Sequence, residues 1–286
     1  MEYFKATFKE REFVVGHLQK ALGNCSVFIF GYRRSSIVRD TWLRVSSCKN
    51  VETHHFDLVV FTDKAMPIDI GQLVATISAE SDHCISVCIL LHTLSDLGTK
   101  RESQAWFFNR VLKECPVLVL QSGATPYVLH CNAKRDWKGD GAFWQKCEAV
   151  ALFYLDAAGN SVHEDVVLCK IALLHTAVSQ IALGLVRVHL GYSPKYFGLR
   201  FLLQLCGSFS TLALDLFPVA SAAGLRRYRM LCCPPDRLRN WIRLDAAAAD
   251  FEILYYAAQD FLELGGGLVL AELERLEFGT IKNELL

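Results

Sequence analysis

The sequence carries no excess charge of either sign: thirty Lys and Arg face thirty Asp and Glu across 286 residues. No global field therefore draws the chain toward nucleic acid or an anionic membrane, and only a local patch could do so. A continuous apolar leader is missing too. The opening MEYFKATFKEREF interleaves Lys, Glu and Arg with aromatics, a pattern that predicts no secretory signal. Nor is there a long apolar run free of polar interruption. The most apolar stretch, Val166 to Leu190, contains Lys170, His175, Gln180 and Arg187. Charges are costly at a bilayer centre, so a buried helix is expected there and no membrane partner. The eleven cysteines include no CxxC pair, and the neighbours Cys232 and Cys233 have no companions at zinc spacing. Scattered cysteines without an export signal predict reduced thiols in the cytoplasm, with no metal and no cofactor.

What is present describes a compact protein of two ordinary domains: 52% of the residues are hydrophobic and 21% charged. The first half alternates. Residues 3–22 are rich in helix formers, and Val27-Phe28-Ile29-Phe30 ending in Gly31 reads as a buried strand closed by a turn. A polar stretch follows. His55 to Phe61, rich in β-branched and aromatic residues, reads as a second strand. Ile68 to Ser78 is expected as a short helix, Cys84 to Leu91 as a strand, Leu94 to Glu114 as a helix and Pro116 to Leu120 as a fourth strand. Strands alternating with helices predict a mixed α/β domain.

Between Asn132 and Gly141 the composition changes to NAKRDWKGDG, the expected linker. Beyond it the pattern is helical: Ala142 to Ala157, His163 to Leu190 stopped by Gly191-Tyr192-Ser193-Pro194, Tyr196 to Cys206, Leu225 to Cys233, and Ala247 to Leu264. Gly265-Gly266-Gly267 follows a helix and not a strand, so it reads as a terminator before a short amphipathic tail and not as a phosphate loop. Ser35-Ser36 and Ser46-Ser47 lack a Gly-x-Ser-x-Gly context and read as loop residues. The expected organisation is therefore α+β, with an α/β domain over residues 1–132 and an all-α bundle over residues 142–286.

The N-terminal pattern, a strand ending in Gly31, a polar loop and then HHFDLVVF, resembles the minimal nucleotidyltransferase fold. That family places two carboxylates at i and i+2 of a strand, where both reach one Mg²⁺. Here those positions hold His55 and Asp57, the Gly-Ser turn reads Gly31-Tyr32, and CISVCILLH supplies no third acid. A lone carboxylate cannot offset two Mg²⁺ ions, and His prefers softer metals. The resemblance implies a pocket of Gly31, Arg33, Arg34, His55 and Asp57 that has lost metal-dependent chemistry. Its arginines, with Arg39, could still meet an anion. Against that stands a plain solvated basic loop.

The helical half, a long helix with His175 and Gln180 followed by GYSPKYFGLRFLLQL, resembles HEPN-domain proteins, in which a Gly-Tyr-x-Pro turn joins the second and third helices. A nucleotidyltransferase-like domain followed by an HEPN bundle is a recurrent pairing in bacteria, and the resemblance covers nearly the whole chain. Ribonucleolytic members carry an Arg, then a polar residue, and a His four to six residues further on, one helix face apart. Arg239-Asn240 fits, but the His position holds Leu244, and no His occurs after His189. Leucine carries no exchangeable proton, so the resemblance implies no catalytic residue here.

Six arginines nevertheless fall within residues 226–243. Arg237, Asn240, Arg239, Arg243 and Trp241, with His175, are the candidate ligand-binding residues, because guanidinium groups clasp phosphates and an indole stacks on a base. The bland alternative is a solvated helix face with Trp241 turned inward. The leading expectation is a non-catalytic module that binds a nucleotide, RNA or a protein partner, dimeric through its helices. Two alternatives stand beside it. One is an HEPN ribonuclease or nucleotidyl-transfer antitoxin working through His175, His55 or Asp57; the other is a pure interaction scaffold.

Overall fold

The computed structural model describes residues 8–39, 49–98, 102–121, 135–161, 166–237 and 246–284. The chain divides into two compact units, Met1–Ala133 and Lys134–Leu286. The first combines strands and helices and the second is helical, so the coarse α+β class expected from the sequence is present.

In the first unit, helix α1 (Phe8–Leu22) leads into β1 (Cys25–Arg39) and β2 (Lys49–Thr62). Then come α2 (Ile70–Glu80), β3 (Ile85–Thr93), a short 3-10 turn (Leu94–Gly98), α3 (Glu102–Glu114) and β4 (Val117–Val119). The sheet order is β3-β2-β1-β4. β1 runs antiparallel to β2 and β4, whereas β2 and β3 are parallel. A parallel pair needs a crossover, and α2 supplies it. Asp69 caps α2, its side chain accepting the Gln72 N–H at 3.1 Å. Because side chains alternate along a strand, Val27, Ile29, Phe56, Leu58, Val60, Val87 and Ile89 share one face. There they pack with Val14 and Leu18 of α1 and Leu73 and Ile77 of α2. The opposite face carries an aromatic cluster with edge-on ring contacts, Phe61 and His92 meeting Phe108 of α3 and Phe28 meeting Phe61.

Two expectations about this unit are corrected. Gly31 does not close the strand, and the polar residues after it are not a loop. β1 continues to Arg39, paired residue by residue with β2 back to Lys49. Cross-strand partners hold the extension: Ser35 and Thr53 share a hydrogen bond at 2.6 Å, and Arg34 pairs with Glu52.

The second unit contains α4 (Trp137–Gly159), α5 (Val167–Leu190), α6 (Leu199–Cys206), α7 (Leu212–Leu216), α8 (Ala222–Leu231) and α9 (Ala248–Glu284). α5 is its core. Although long and apolar enough to cross a membrane, it buries Ile171, Leu174, Val178, Ile181, Leu185 and Val188, a helical stripe, inside the unit. It stops where Gly191 turns into the left-handed region at φ 63°. α4 and α9 pack on α5 and lie antiparallel to each other, Gly141 beside Leu273 at one end and Gly159 beside Tyr255 at the other.

The expected NAKRDWKGDG linker is helical from Trp137 on, residues 132–134 lying outside the described residues, and the triple-glycine stop is helical throughout. α4 begins at Trp137, capped by Asp136, whose Oδ1 accepts the Gly139 N–H at 2.9 Å. Asp140, in its first turn, is buried between two arginines: Arg135 Nε at 2.9 Å and Arg187 Nε at 2.6 Å. Arg135 also donates to the Arg187 carbonyl at 3.4 Å and to that of Val188, so it joins the α4 N-terminus to the α5 C-terminus. α9 runs unbroken through Gly265-Gly266-Gly267 because tertiary packing there outweighs the roughly 1 kcal/mol helix penalty of each glycine. A β-carbon on Gly265 would rest against Leu185 and Ile181 of α5 at 3.4 and 3.6 Å.

Candidate functional site

In the first unit the polar end of the sheet's aromatic face draws four of the five expected pocket residues together. The register shifts between Ile29 and Gly31, and this β-bulge places Gly31 opposite Asp57 and Arg33 opposite His55. His55 and Asp57, two apart on β2, then share a face with Gly31 and Arg33 of β1. The Asp57 carboxylate is fully buried. Its Oδ1 accepts from His55 Nε2 at 3.0 Å and lies 3.7 Å from Arg33 Nη2. Its Oδ2 meets no hydrogen-bond partner among the described residues, and the same holds for the buried Nη1 of Arg33. A β-carbon on Gly31 would sit 2.5 Å from that Oδ2, closer than real side chains approach. Gly31 is thus the space that the carboxylate occupies, and not a phosphate-facing turn.

Arg34 does not join them. Successive strand residues point to opposite faces, so Arg34 leaves the cluster and pairs with Glu52 in an exposed position. Arg33 and Arg34 therefore cannot converge on one phosphate. The nitrogen of His55 that faces away from Asp57, Nδ1, meets Ser86 Oγ at 2.7 Å. Sequence reasoning passed over Ser86. The parallel register of β2 and β3 places it opposite His55, and Cys88 opposite Asp57. Burial pushes the Cys88 thiol well above its ordinary range, and the neighbouring Asp57 adds to the effect, so it is no nucleophile. The serine–imidazole–carboxylate connection is the one that can activate a hydroxyl. Here the Arg33 guanidinium faces the single buried carboxylate at 3.7 Å, and no three His, Cys, Asp or Glu side chains among the described residues are arranged to hold a metal ion.

On the sheet's other face, Tyr32 Oη meets His54 Nδ1 at 2.8 Å, and His54 borders a cavity of about 430 Å³ with Lys9, Glu10, Glu52 and Cys84.

In the helical unit the arginine-rich stretch is only partly a free cationic surface. Arg226 grips the buried Asp250 with Nη2 at 2.7 and 2.6 Å, and Arg227 approaches the same carboxylate at 3.8 Å. Both serve to fasten α8 to the start of α9. Arg229 and Arg237 are exposed. Arg239, Asn240, Trp241 and Arg243 lie outside the described residues, as does Leu244. His175 is half-buried on α5, its Nδ1 meeting the Leu231 carbonyl at the end of α8 at 2.8 Å. Burial lowers its pKa, with that carbonyl opposing. One of its ring nitrogens is therefore committed to a structural tie.

One opening in this unit was not expected from the sequence. α4 and α9 leave between them a groove of about 790 Å³, floored by Trp144, Leu155, Leu262 and Val269 and flanked by Leu152 and Leu270. Those two leucines are 48% and 65% exposed. Phe153 on α4 and Ile253, Tyr256 and Leu264 on α9 are exposed as well, outside the groove lining. Its acidic side chains are Glu148, Asp156 and Glu263. The signal was present in the sequence, but the expected break at the glycines cut α9 in two and hid it.

No protein-family model matches the chain, and no curated protein matches it significantly.

Proposed function

We propose that the chain is a non-catalytic interaction module, HEPN-like in its helical unit, that docks a protein partner in the groove between α4 and α9. The groove carries this reading. Exposed apolar area costs free energy in water at roughly 25 cal/mol per Å², and Leu152 and Leu270 flanking an apolar floor mark a surface suited to being covered. Several polar atoms that might have carried chemistry are engaged within the fold: Asp57 Oδ1 by His55 and, at 3.7 Å, Arg33, and His175 Nδ1 by the Leu231 carbonyl. The Gly-Tyr turn after α5, with Tyr192 buried, and the long antiparallel helices support the HEPN-like organisation.

The test places a photo-crosslinking residue at Leu152 or Leu270 in the full chain, with Arg229 as an exposed control. A discrete adduct from the two groove positions, absent at the control, is the expected result. A species of twice the chain mass would identify a homodimer. No adduct, or the same adducts at all three positions, would remove the docking reading.

A second reading, nucleotide or RNA binding, is favoured by the exposed Arg229 and Arg237, which lead into Arg239 and Arg243. Under that reading ATP or AMP raises the melting temperature and Arg239→Ala abolishes the shift. An unchanged melting temperature with every nucleotide discards it.

A further inference from the structure

We infer that the occupant of the α4–α9 groove is a basic amphipathic helix of about four turns, presented by another protein; the inference rests on the docking reading above. Shape is the first argument. α4 and α9 are antiparallel, with Gly141 beside Leu273 and Gly159 beside Tyr255. Two antiparallel helices already packed on α5 leave, on their outer side, the furrow that a third helix fills by ridges-into-grooves packing. The lining residues run from Gly141 to Asp156 on α4 and from Gln259 to Leu273 on α9. At the helical rise the spans are about 21 to 23 Å, the length of some four turns. Gly141, Gly266 and Gly267 line it without side chains, so an incoming helix can approach the backbone closely.

Charge is the second argument and selects the partner. The groove is edged by Glu148, Asp156 and Glu263, and no Lys, Arg or His lines it. Lys138 and Lys146 of α4 stand outside the lining. Exposed Glu252, Asp260, Glu274 and Glu277 add negative charge along α9, where the exposed Arg275 is paired with Glu272. Such a rim repels nucleic acid and anionic lipid, and a twofold contact between two copies would bring two acidic rims together. A helix with an apolar stripe flanked by Lys or Arg meets both the leucines and the carboxylates.

Fluorescence anisotropy on the full chain tests this with two labelled synthetic helices of about 16 residues. Both share one leucine spacing; one carries Lys at its flanks and the other Glu. The Lys helix is expected to bind at least about tenfold more tightly, weakening as salt rises. Rim reversal by Glu148→Lys, Asp156→Lys and Glu263→Lys together is expected to invert the preference. Leu152→Asp with Leu270→Asp is expected to abolish binding of both helices while the far-ultraviolet circular dichroism stays unchanged. Equal affinity for the two helices, still lost with the leucine substitutions, overturns the basic-partner inference and leaves the docking reading standing. Failure of both helices to bind, or binding that the leucine substitutions do not touch, overturns both.

Discussion

Arg187 Nε donates to Asp140 Oδ1 across 2.6 Å, and Arg135 Nε takes the other oxygen at 2.9 Å. The carboxylate is 1% exposed, so water contributes almost nothing to its compensation. Arg187 also donates to Ser193 Oγ at 2.8 Å, tying the turn after α5 into the same network. Breaking a buried ion pair from one side strands the remaining charges, which costs about 3–5 kcal/mol. Asp140→Ala leaves two guanidinium groups facing each other and is expected to lose that much in urea denaturation. Arg187→Ala should lose less, because Arg135 still faces the carboxylate. Equal small losses for both would mean that the network is not what closes this end of the unit.

Gly31 and Asp57 form a second, steric dependence. With the Asp57 Oδ2 2.5 Å from the missing β-carbon, Gly31→Ala forces either the buried carboxylate or the bulge to move. Overpacking of this kind costs about 1–3 kcal/mol. In an Asp57→Ala background the same change meets no carboxylate, so a double-mutant cycle should return a coupling of similar size. Additive effects would show that Gly31 serves backbone conformation and not space.

Much of the sheet was legible because its signals are local. Val27 to Phe30, His55 to Phe61 and the apolar run from Cys84 to Leu91 are rich in β-branched, aromatic or other apolar residues and fall on β1, β2 and, from Ile85, β3. His55 and Asp57 could be placed on one face by period two alone. What failed depended on partners far away in sequence. Gly31 reads as a turn unless Asp57 is known to need its space. The segment Trp137 to Gly141 reads as a linker unless Arg187, nearly fifty positions on, is seen to hold Asp140. Three glycines end a helix in isolation, but not where Gly265 packs on Leu185 and Ile181 of α5. A loop would have let Arg33 and Arg34 meet one anion, the alternative to a plain solvated basic loop, whereas the extended strand separates them. Ser86 lacked any motif of its own and emerges only from the register of β2 against β3.

The glycines of the helical unit fall into two classes that mutation separates. A β-carbon on Gly184 of α5 would stand 2.6 Å from the Trp144 ring, and Trp144 is buried beneath the groove. Gly184→Ala should therefore cost about 1–3 kcal/mol. A β-carbon on Gly267 would meet nothing within 4 Å. There the gain in helix propensity acts alone, and Gly267→Ala is expected to stabilise by about 0.5–1 kcal/mol. Thermal melts of the two variants should shift in opposite directions. A loss at both sites would indicate that α9 needs glycine at position 267 for its backbone path.

His189 gives the stability a pH dependence whose sign follows from its surroundings. Its imidazole stacks on Phe209 at 4.3 Å, with the planes 14° apart, and its buried Nε2 has no hydrogen-bond partner among the described residues. Burial pushes its pKa down to about 4; Glu272 opposes the shift, while Arg135 and Arg275 add to it. An unfolded chain restores a value near 6.5, so it binds the proton more tightly than the folded one. The contribution of His189 is then complete above about pH 6.5 and is lost as pH falls from there toward 4, by at most about 1.4 kcal/mol per pH unit. His189→Phe keeps a ring on Phe209 and removes the titration. Because the shifts of His17 and the carboxylates occur in both proteins, the difference between their urea midpoints at pH 7.5, 5.5 and 4.5 isolates this residue. The variant should gain on the wild type at each acid step. Parallel curves would mean that the imidazole keeps its ordinary pKa in the folded chain, through water reaching Nε2 beside Phe209.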